Sequence, residues 1–87
     1  MIKVVEMAKI TQAVEHLGGV DGGWASLTDL RKMIKLSRAD QDAMITEMVL
    51  MGTLTVIPED NQKTLTSEDR QAALYLGGQP NHMIQIC

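Results

Sequence analysis

The chain has 87 residues, enough for one small domain with a modest hydrophobic core that needs no disulfide. Its formal net charge is −3, so the chain is not one of the strongly basic proteins that attract nucleic acid over their whole surface. The only cysteine is Cys87, no run approaches the roughly 18 apolar residues of a membrane span, and no signal peptide is recognisable. We therefore expect a single domain over residues 1–87, in the cytoplasm and without a membrane segment.

Apolar residues at spacings of three and four predict a first helix over residues 3–17. The apolar face of this helix consists of Met7, Ile10, Val14 and Leu17. Gly18-Gly19 is expected to end the helix and to open a loop that continues through Gly22-Gly23. No strand precedes these glycines and no Gly-Lys-Ser/Thr follows them, so they do not indicate a phosphate-binding loop. Trp24 comes next, where it is expected to cover the core and to contribute to a short edge strand.

Two Ser-x-x-Asp capping boxes predict a second and a third helix that stand almost end to end. The first box is Ser26–Asp29, and the inner stripe of its helix is expected to contain Leu27, Leu30, Met33 and Ile34. The second box is Ser37–Asp40, and its helix is expected to run to about Met51. Gly52 fits the left-handed residue that ends a helix, and the β-branched alternation of residues 53–57 predicts a strand.

A long insertion separates that strand from a last strand predicted at residues 82–87. Twenty-four residues lie between them, too many for a structureless turn in a compact domain. A third capping box, Thr66–Asp69, is expected to open a short helix over Arg70 to Leu76, closed by Gly77-Gly78. Since alternate residues of a strand share a face, the two strands are expected to pair antiparallel with their apolar residues inward. These inward residues are Leu54, Val56, Ile84 and Ile86.

The order of these elements resembles a winged-helix domain over the whole chain. We predict an α+β, mostly α fold: a winged helix-turn-helix with a three-helix core, a two- to three-stranded antiparallel wing and a short extra helix inserted between the wing strands. The run Pro58–Arg70, with Gly77-Gly78 and the terminal His82–Ile86, is similar to the ends of small uncharacterised bacterial and phage proteins of this fold. The resemblance implies DNA binding, with the third helix in the major groove and the wing against the backbone.

Basic side chains are concentrated around the predicted helix-turn-helix. Four of the eight lie within eight positions, a local patch on an otherwise acidic chain that is also compatible with an ordinary solvated helix face. If the module binds duplex DNA mainly through phosphates, six cations take part and the log–log salt slope of affinity is roughly −5. The candidate DNA-binding residues are Arg31, Lys32, Lys35, Arg38, Gln41, Lys63 and Arg70.

The outer face of the third helix departs from this expectation, because it offers no long polar side chains that read bases. Its central stripe is small and apolar, with acids at its flanks, and it predicts an alternative function: a homodimer or protein partner contacts this face and no DNA is bound. The candidate interface residues are Ala39, Ala43, Thr46 and Leu50. A second possibility is that the inserted helix covers this stripe within the same chain, through Ala72, Ala73 and Leu76.

No arrangement of residues in the sequence indicates catalysis. His16, His82 and Cys87 are too widely spaced to suggest a zinc site, and no nucleophile–base constellation can be argued from spacing. We therefore expect no enzyme activity, no catalytic or metal-ligating residues, and no small-molecule cofactor.

Overall fold

Four α-helices and five short strands make up the part of the chain that the structure describes. The computed structural model describes the backbone of residues 2–87 and the side chains of residues 4–87. The elements in chain order are α1 Ile2–His16, β1 Ala25–Ser26, α2 Leu27–Met33, α3 Arg38–Leu50, β2 Leu54–Ile57, a 3₁₀ turn Gln62–Thr64, α4 Ser67–Ala72, β3 Leu74–Leu76, β4 Gln79–Asn81 and β5 Met83–Ile86. Roughly half of the chain is helical and the strands are antiparallel, so the fold is α+β.

A three-stranded antiparallel sheet joins distant parts of the chain in the order β1-β5-β2. The predicted antiparallel pairing of residues 53–57 with 82–87 is confirmed: Val56 lies opposite Ile84, and Leu54 lies opposite Ile86. On the other side of β5, Ala25 also pairs with Ile84. The alternating apolar residues of β2 and β5 face the helices, because alternate side chains of a strand share a face.

The hydrophobic core lies between this sheet and helices α1, α2 and α3. Its fully buried large residues are Ile10, Val14, Leu27, Leu30, Ile45, Leu54 and Ile84. The predicted caps position two of the helices: the Ser26 hydroxyl accepts from Thr28 N, and the Ser37 hydroxyl accepts from Asp40 N. One residue of the expected inner stripe is not in the core: Met33, at the end of α2, is 45% exposed.

The helix predicted over Arg70 to Leu76 is wrong in its position. The capping box is present at Thr66, but α4 begins directly after it at Ser67 and ends at Ala72. Residues 74–76 instead form β3, which pairs with β4. Gly77 and Gly78 have φ values of 68° and 79°, and two successive left-handed residues make the two-residue turn of a β-hairpin. The glycine pair is therefore a hairpin turn, not a helix end.

Candidate functional site

Helix α4 packs on α2, and its N-terminal end is hydrogen-bonded to that helix. The Thr28 hydroxyl donates to Asp69 Oδ1 at 2.6 Å. Asp69 Oδ2 accepts from Thr66 N at 3.1 Å, and the Thr66 hydroxyl accepts from Asp69 N. The hydrogen bond from Thr28, followed by that from the Thr66 backbone, lowers the pKa of Asp69. Its carboxylate therefore caps α4 and links it to α2.

Two arginines hold the C-terminal end of α4. Arg31 Nε donates to the carbonyl of Ala72 at 2.7 Å. Arg38 donates through Nη1 to the carbonyl of Gln71 and through Nη2 to the carbonyl of Ala73 at 2.7 Å. The last carbonyls of a helix have no partner within it and carry partial negative charge, so guanidinium groups are well suited to this end.

Asp42 joins the two arginines from α3. Arg31 Nη2 lies 2.7 Å from Asp42 Oδ1, and Arg38 Nε lies 3.0 Å from Asp42 Oδ2. Gln41 completes the group: its Oε1 accepts from Arg31 Nη1, and its Nε2 donates to the carbonyls of Ile34 and Leu36. We call Arg31, Arg38, Gln41 and Asp42 the arginine cluster. Burial of the guanidinium lowers the pKa of Arg31, an effect that the hydrogen bond and charge of Asp42 oppose.

The predicted DNA-binding residues do not form one free basic surface. The side chain of Arg31 is only 10% exposed, and Gln41 is buried, so both connect elements inside the fold. Lys32 and Arg38 remain accessible, and with Arg31 they line a depression of about 260 Å³. Lys32 contacts Glu68 at 2.6 Å, and the hydrogen bond and charge of Glu68 raise the pKa of Lys32.

The remaining predicted cations lie elsewhere. Lys35 lines a separate depression of about 340 Å³ beside Lys9 of α1. Lys63 is exposed in the 3₁₀ turn, and Arg70 is exposed on α4, where its Nη2 donates to the carbonyl of Gln62. Lys32 of α2 and Lys35, which follows that helix, thus line two different depressions.

The outer face of α3 is open. Ala39 and Ala43 are exposed, Thr46 is partly buried, and Leu50 is 75% exposed. The expectation that the inserted helix covers this stripe is wrong for Ala39, Ala43 and Leu50, because α4 packs on α2 instead. The segment that follows α4 runs alongside the stripe and leaves a groove. We call the four residues Ala39, Ala43, Thr46 and Leu50 the α3 stripe.

The groove beside the α3 stripe has a volume of about 380 Å³. Its lining consists of Arg38, Asp42, Ala43, Thr46, Ala73, Leu74 and Tyr75. Tyr75 was not identified from the sequence, yet it is 73% exposed at the rim of the groove. The signal that was available is the short Leu-Tyr-Leu run before Gly77-Gly78, which alternates as a hairpin strand does.

The backbone N–H and C=O of Tyr75 point away from β4, its partner strand in the hairpin. A two-residue turn makes Leu76 and Gln79 the hydrogen-bonded pair, so Tyr75 and Pro80 form a pair without mutual hydrogen bonds. Pro80 has no N–H, which fits that position. The N–H and C=O of Tyr75 are consequently directed toward the free edge of β3. The groove therefore lies between small side chains of α3 and the beginning of β3, whose free edge carries the N–H and C=O of Tyr75.

Three further properties describe the chain. None of the helices in the described part is both long and apolar enough to cross a membrane. Within the same residues, no group of three or more His, Cys, Asp or Glu side chains is arranged to hold a metal ion. Cys87 is exposed and has a free thiol.

Comparisons of the chain with protein-family models, with curated proteins and with solved structures found no match.

Proposed function

We propose that this chain is a winged-helix module that forms a homodimer through the α3 stripe and the edge of β3. The winged-helix assignment is supported by the order of α1, β1, α2, α3, β2 and β5, and by the pairing of β5 with both β1 and β2. In this assignment α4 and the β3–β4 hairpin are an insertion between the two wing strands. We place the module in the cytoplasm, an assignment that suits its free thiol.

The observation that carries the homodimer is the exposure of Leu50 and Tyr75 at either side of small residues. A solvated helix face normally carries long polar side chains, whereas Ala43 occupies the middle of this one. Large apolar side chains that are exposed beside a shallow groove are typical of surfaces that bind protein.

The occupant that fits this surface is a second copy of the same chain. Tyr75 projects from the rim of a groove that is large enough to receive an aromatic ring, and a two-fold axis lets each copy supply both parts. The outward N–H and C=O of Tyr75 are self-complementary in the same way, because antiparallel pairing of two identical residues satisfies both groups.

The expected dimer is weak. Burying a Leu or aromatic side chain contributes about 1.5–3 kcal/mol, and the two-fold axis doubles each contribution. Association costs roughly 4–15 kcal/mol in lost freedom of motion, which offsets most of that gain. We therefore expect a dissociation constant on the order of 100 µM, with monomer and dimer both populated in the laboratory range.

Replacement of Ala43 by Glu tests the homodimer, because the longer side chain would fill the groove that receives the aromatic ring and would place a charge in the interface. The variant should remain folded, since Ala43 is exposed, and should stay monomeric where the parent protein dimerises. Gln12→Glu adds the same charge at an exposed position of α1 and should dimerise as the parent does. A sedimentation series measures both. Unfolding of Ala43→Glu, or dimerisation of it with the parent's affinity, contradicts the proposal.

A second candidate is binding of duplex DNA through phosphates, which the shared exposure of Lys32 and Arg38 around one depression favours. Because Arg31 and Gln41 are engaged within the fold, fewer than six phosphate contacts are expected. Replacing Lys32 by Ala should reduce the log–log salt slope of affinity by about one, on unrelated duplexes alike. The Lys32→Arg protein keeps the charge and should keep the slope. Absence of binding by the parent protein at low salt removes this candidate.

A further inference from the structure

His82 connects three parts of the fold although it precedes the short strand β5. It is only 6% exposed. Its backbone N donates to the carbonyl of Ile57 at the end of β2, and its carbonyl accepts from Leu27 N at the start of α2. Its side chain makes a third connection: Nδ1 accepts from Glu59 N at 3.0 Å. The ring therefore fastens the start of the insertion to the sheet.

This third bond depends on the protonation state of the ring. An imidazole nitrogen that accepts a hydrogen bond carries no proton, so a neutral His82 holds its proton on Nε2. The charged ring has protons on both nitrogens, and both then act only as donors. In that form Nδ1–H faces the N–H of Glu59, two donors with no acceptor between them, and the bond is lost.

The surroundings of the ring can accommodate the added charge. His82 lines a cavity of about 170 Å³ together with Ser26, Glu59, Thr64, Leu65, Asp69 and Met83. The titratable groups among its neighbours are Glu59, from the segment after β2, and Asp69, from α4. The neighbours from β1, β5 and the 3₁₀ turn are uncharged. Leu27 and Ile57, which bond to the His82 backbone, are uncharged as well. Two carboxylates therefore line the same cavity as the ring.

We propose that His82 is a proton-dependent latch for the segment that begins at Glu59. The neutral ring holds Glu59 N on the end of the sheet. Addition of one proton at Nδ1 breaks that bond and turns the ring toward the carboxylates of Glu59 and Asp69. The segment from Glu59 to the 3₁₀ turn then separates from His82, while the sheet pairing of β5 with β2 persists. Imidazole is the side chain that ordinarily gains a proton between pH 8 and pH 5, so the latch is to be tested over this range.

Amide hydrogen exchange of Glu59 in the whole chain tests the latch. Protection, corrected for the intrinsic effect of pH on exchange, should fall about fivefold between pH 7.5 and pH 5, in step with titration of the His82 ring followed by NMR. The amide of Ile84, in the sheet, serves as the internal reference and should keep its protection. Constant protection of Glu59 while the ring titrates, or a ring that does not titrate in this range, overturns the proposal.

Two variants separate the latch from general acid sensitivity. In His82→Asn the amide oxygen can accept from Glu59 N but does not titrate, so protection of Glu59 should be independent of pH. His82→Phe keeps an aromatic ring without an acceptor and should lack that protection at every pH. A fall in His82→Asn equal to that of the parent protein contradicts the latch. Should either variant fail to fold, the comparison of Glu59 with the His82 ring in the parent protein still decides the matter.

Discussion

Arg31 lies where α2, α3 and α4 meet, and its guanidinium donates to three different residues. Replacing it by Ala leaves the carbonyl of Ala72 and the buried Oε1 of Gln41 without these donors. We expect a loss of about 2–3 kcal/mol in the free energy of unfolding, measured with urea, because buried acceptors without partners are costly.

Lys35→Ala is the control for that prediction, since Lys35 is an exposed cation at the end of α2 and lies outside the arginine cluster. Its urea midpoint should lie close to that of the parent protein. Equal stability of the Arg31→Ala and Lys35→Ala proteins contradicts the structural role assigned to Arg31.

The hydrogen bond between Thr28 and Asp69 predicts a particular dependence of stability on pH. The pKa of Asp69 is lowered in the folded chain, so its contribution is present above its ordinary pKa and is lost as the pH falls through the folded value. Thr28→Val removes the donor. The stability difference between this variant and the parent, from urea unfolding, should shrink as the pH falls through that range.

Thr11→Val provides the comparison, because the Thr11 hydroxyl donates to the backbone carbonyl of Met7 and not to a carboxylate. The stability difference that it causes should be the same at neutral and acidic pH. If the effect of Thr28→Val is equally insensitive to pH, the bond to Asp69 does not supply the acid-dependent part of stability.

The sequence shows where basic side chains are concentrated, but it does not show which of them point to solvent and which point into the fold. The concentration of cations between residues 31 and 38 is visible in the sequence, and it suggested a phosphate-facing surface. Whether Arg31 points outward depends on where α4 lies, since the carbonyl of Ala72 is 41 residues away in the chain. Local spacing contains no information about that contact. Tyr75 was missed for a related reason, because its exposure depends on the position of the hairpin beside α3.

At the scale of elements, the hairpin after α4 depends on the two glycines at its turn. No heavy atom other than those of neighbouring residues lies within 4 Å of a Cβ added at Gly77 or Gly78, so substitutions there test backbone conformation alone. Gly78→Val places a β-branched residue at φ 79° and should cost about 1–2 kcal/mol of unfolding free energy.

Gly77→Asn is the matched change, because Asn is favoured at the first position of this turn type. It should be close to neutral in the same urea experiment. If Gly77→Asn costs as much as Gly78→Val, the left-handed turn does not explain the pair, and residues 74–81 are arranged differently.

Helix beginnings were more predictable than helix ends. Each of the three Ser/Thr caps precedes a helix in the structure, because its hydroxyl accepts from a backbone N–H of the first turn. The complete box, in which the acid bonds back to the cap, is formed by Thr66 and Asp69. The end of α4 follows a different rule. Ala73 has a ψ of 142° and leaves the helix, and the carbonyls that it exposes are satisfied by arginines from α2 and α3. That support is tertiary and is not encoded in residues 70–76.

At the scale of the whole molecule, the arginine cluster and the α3 stripe are two consequences of one placement. Because α4 packs on α2, Arg31 and Arg38 bond to the end of α4, and most of the outer face of α3 stays exposed. The same placement brings β3 alongside Ala43 and positions Tyr75 at the groove. The exposed apolar side chains of Leu50, in the α3 stripe, and of Tyr75, beside it, are the reason that we propose a protein partner for this face.

The homodimer is tested most directly by an isotope-filtered NOE measurement on a mixture of labelled and unlabelled chains, at a concentration where sedimentation gives a dimeric mass. The filter is needed because Tyr75 and Ala43 also line one groove within a single chain. The proposed homodimer should give intermolecular cross-peaks between the ring of Tyr75 and the methyl group of Ala43, and the Gln12→Glu protein should keep them. A strictly monomeric mass up to about 1 mM, or a dimer without these cross-peaks, contradicts the proposal.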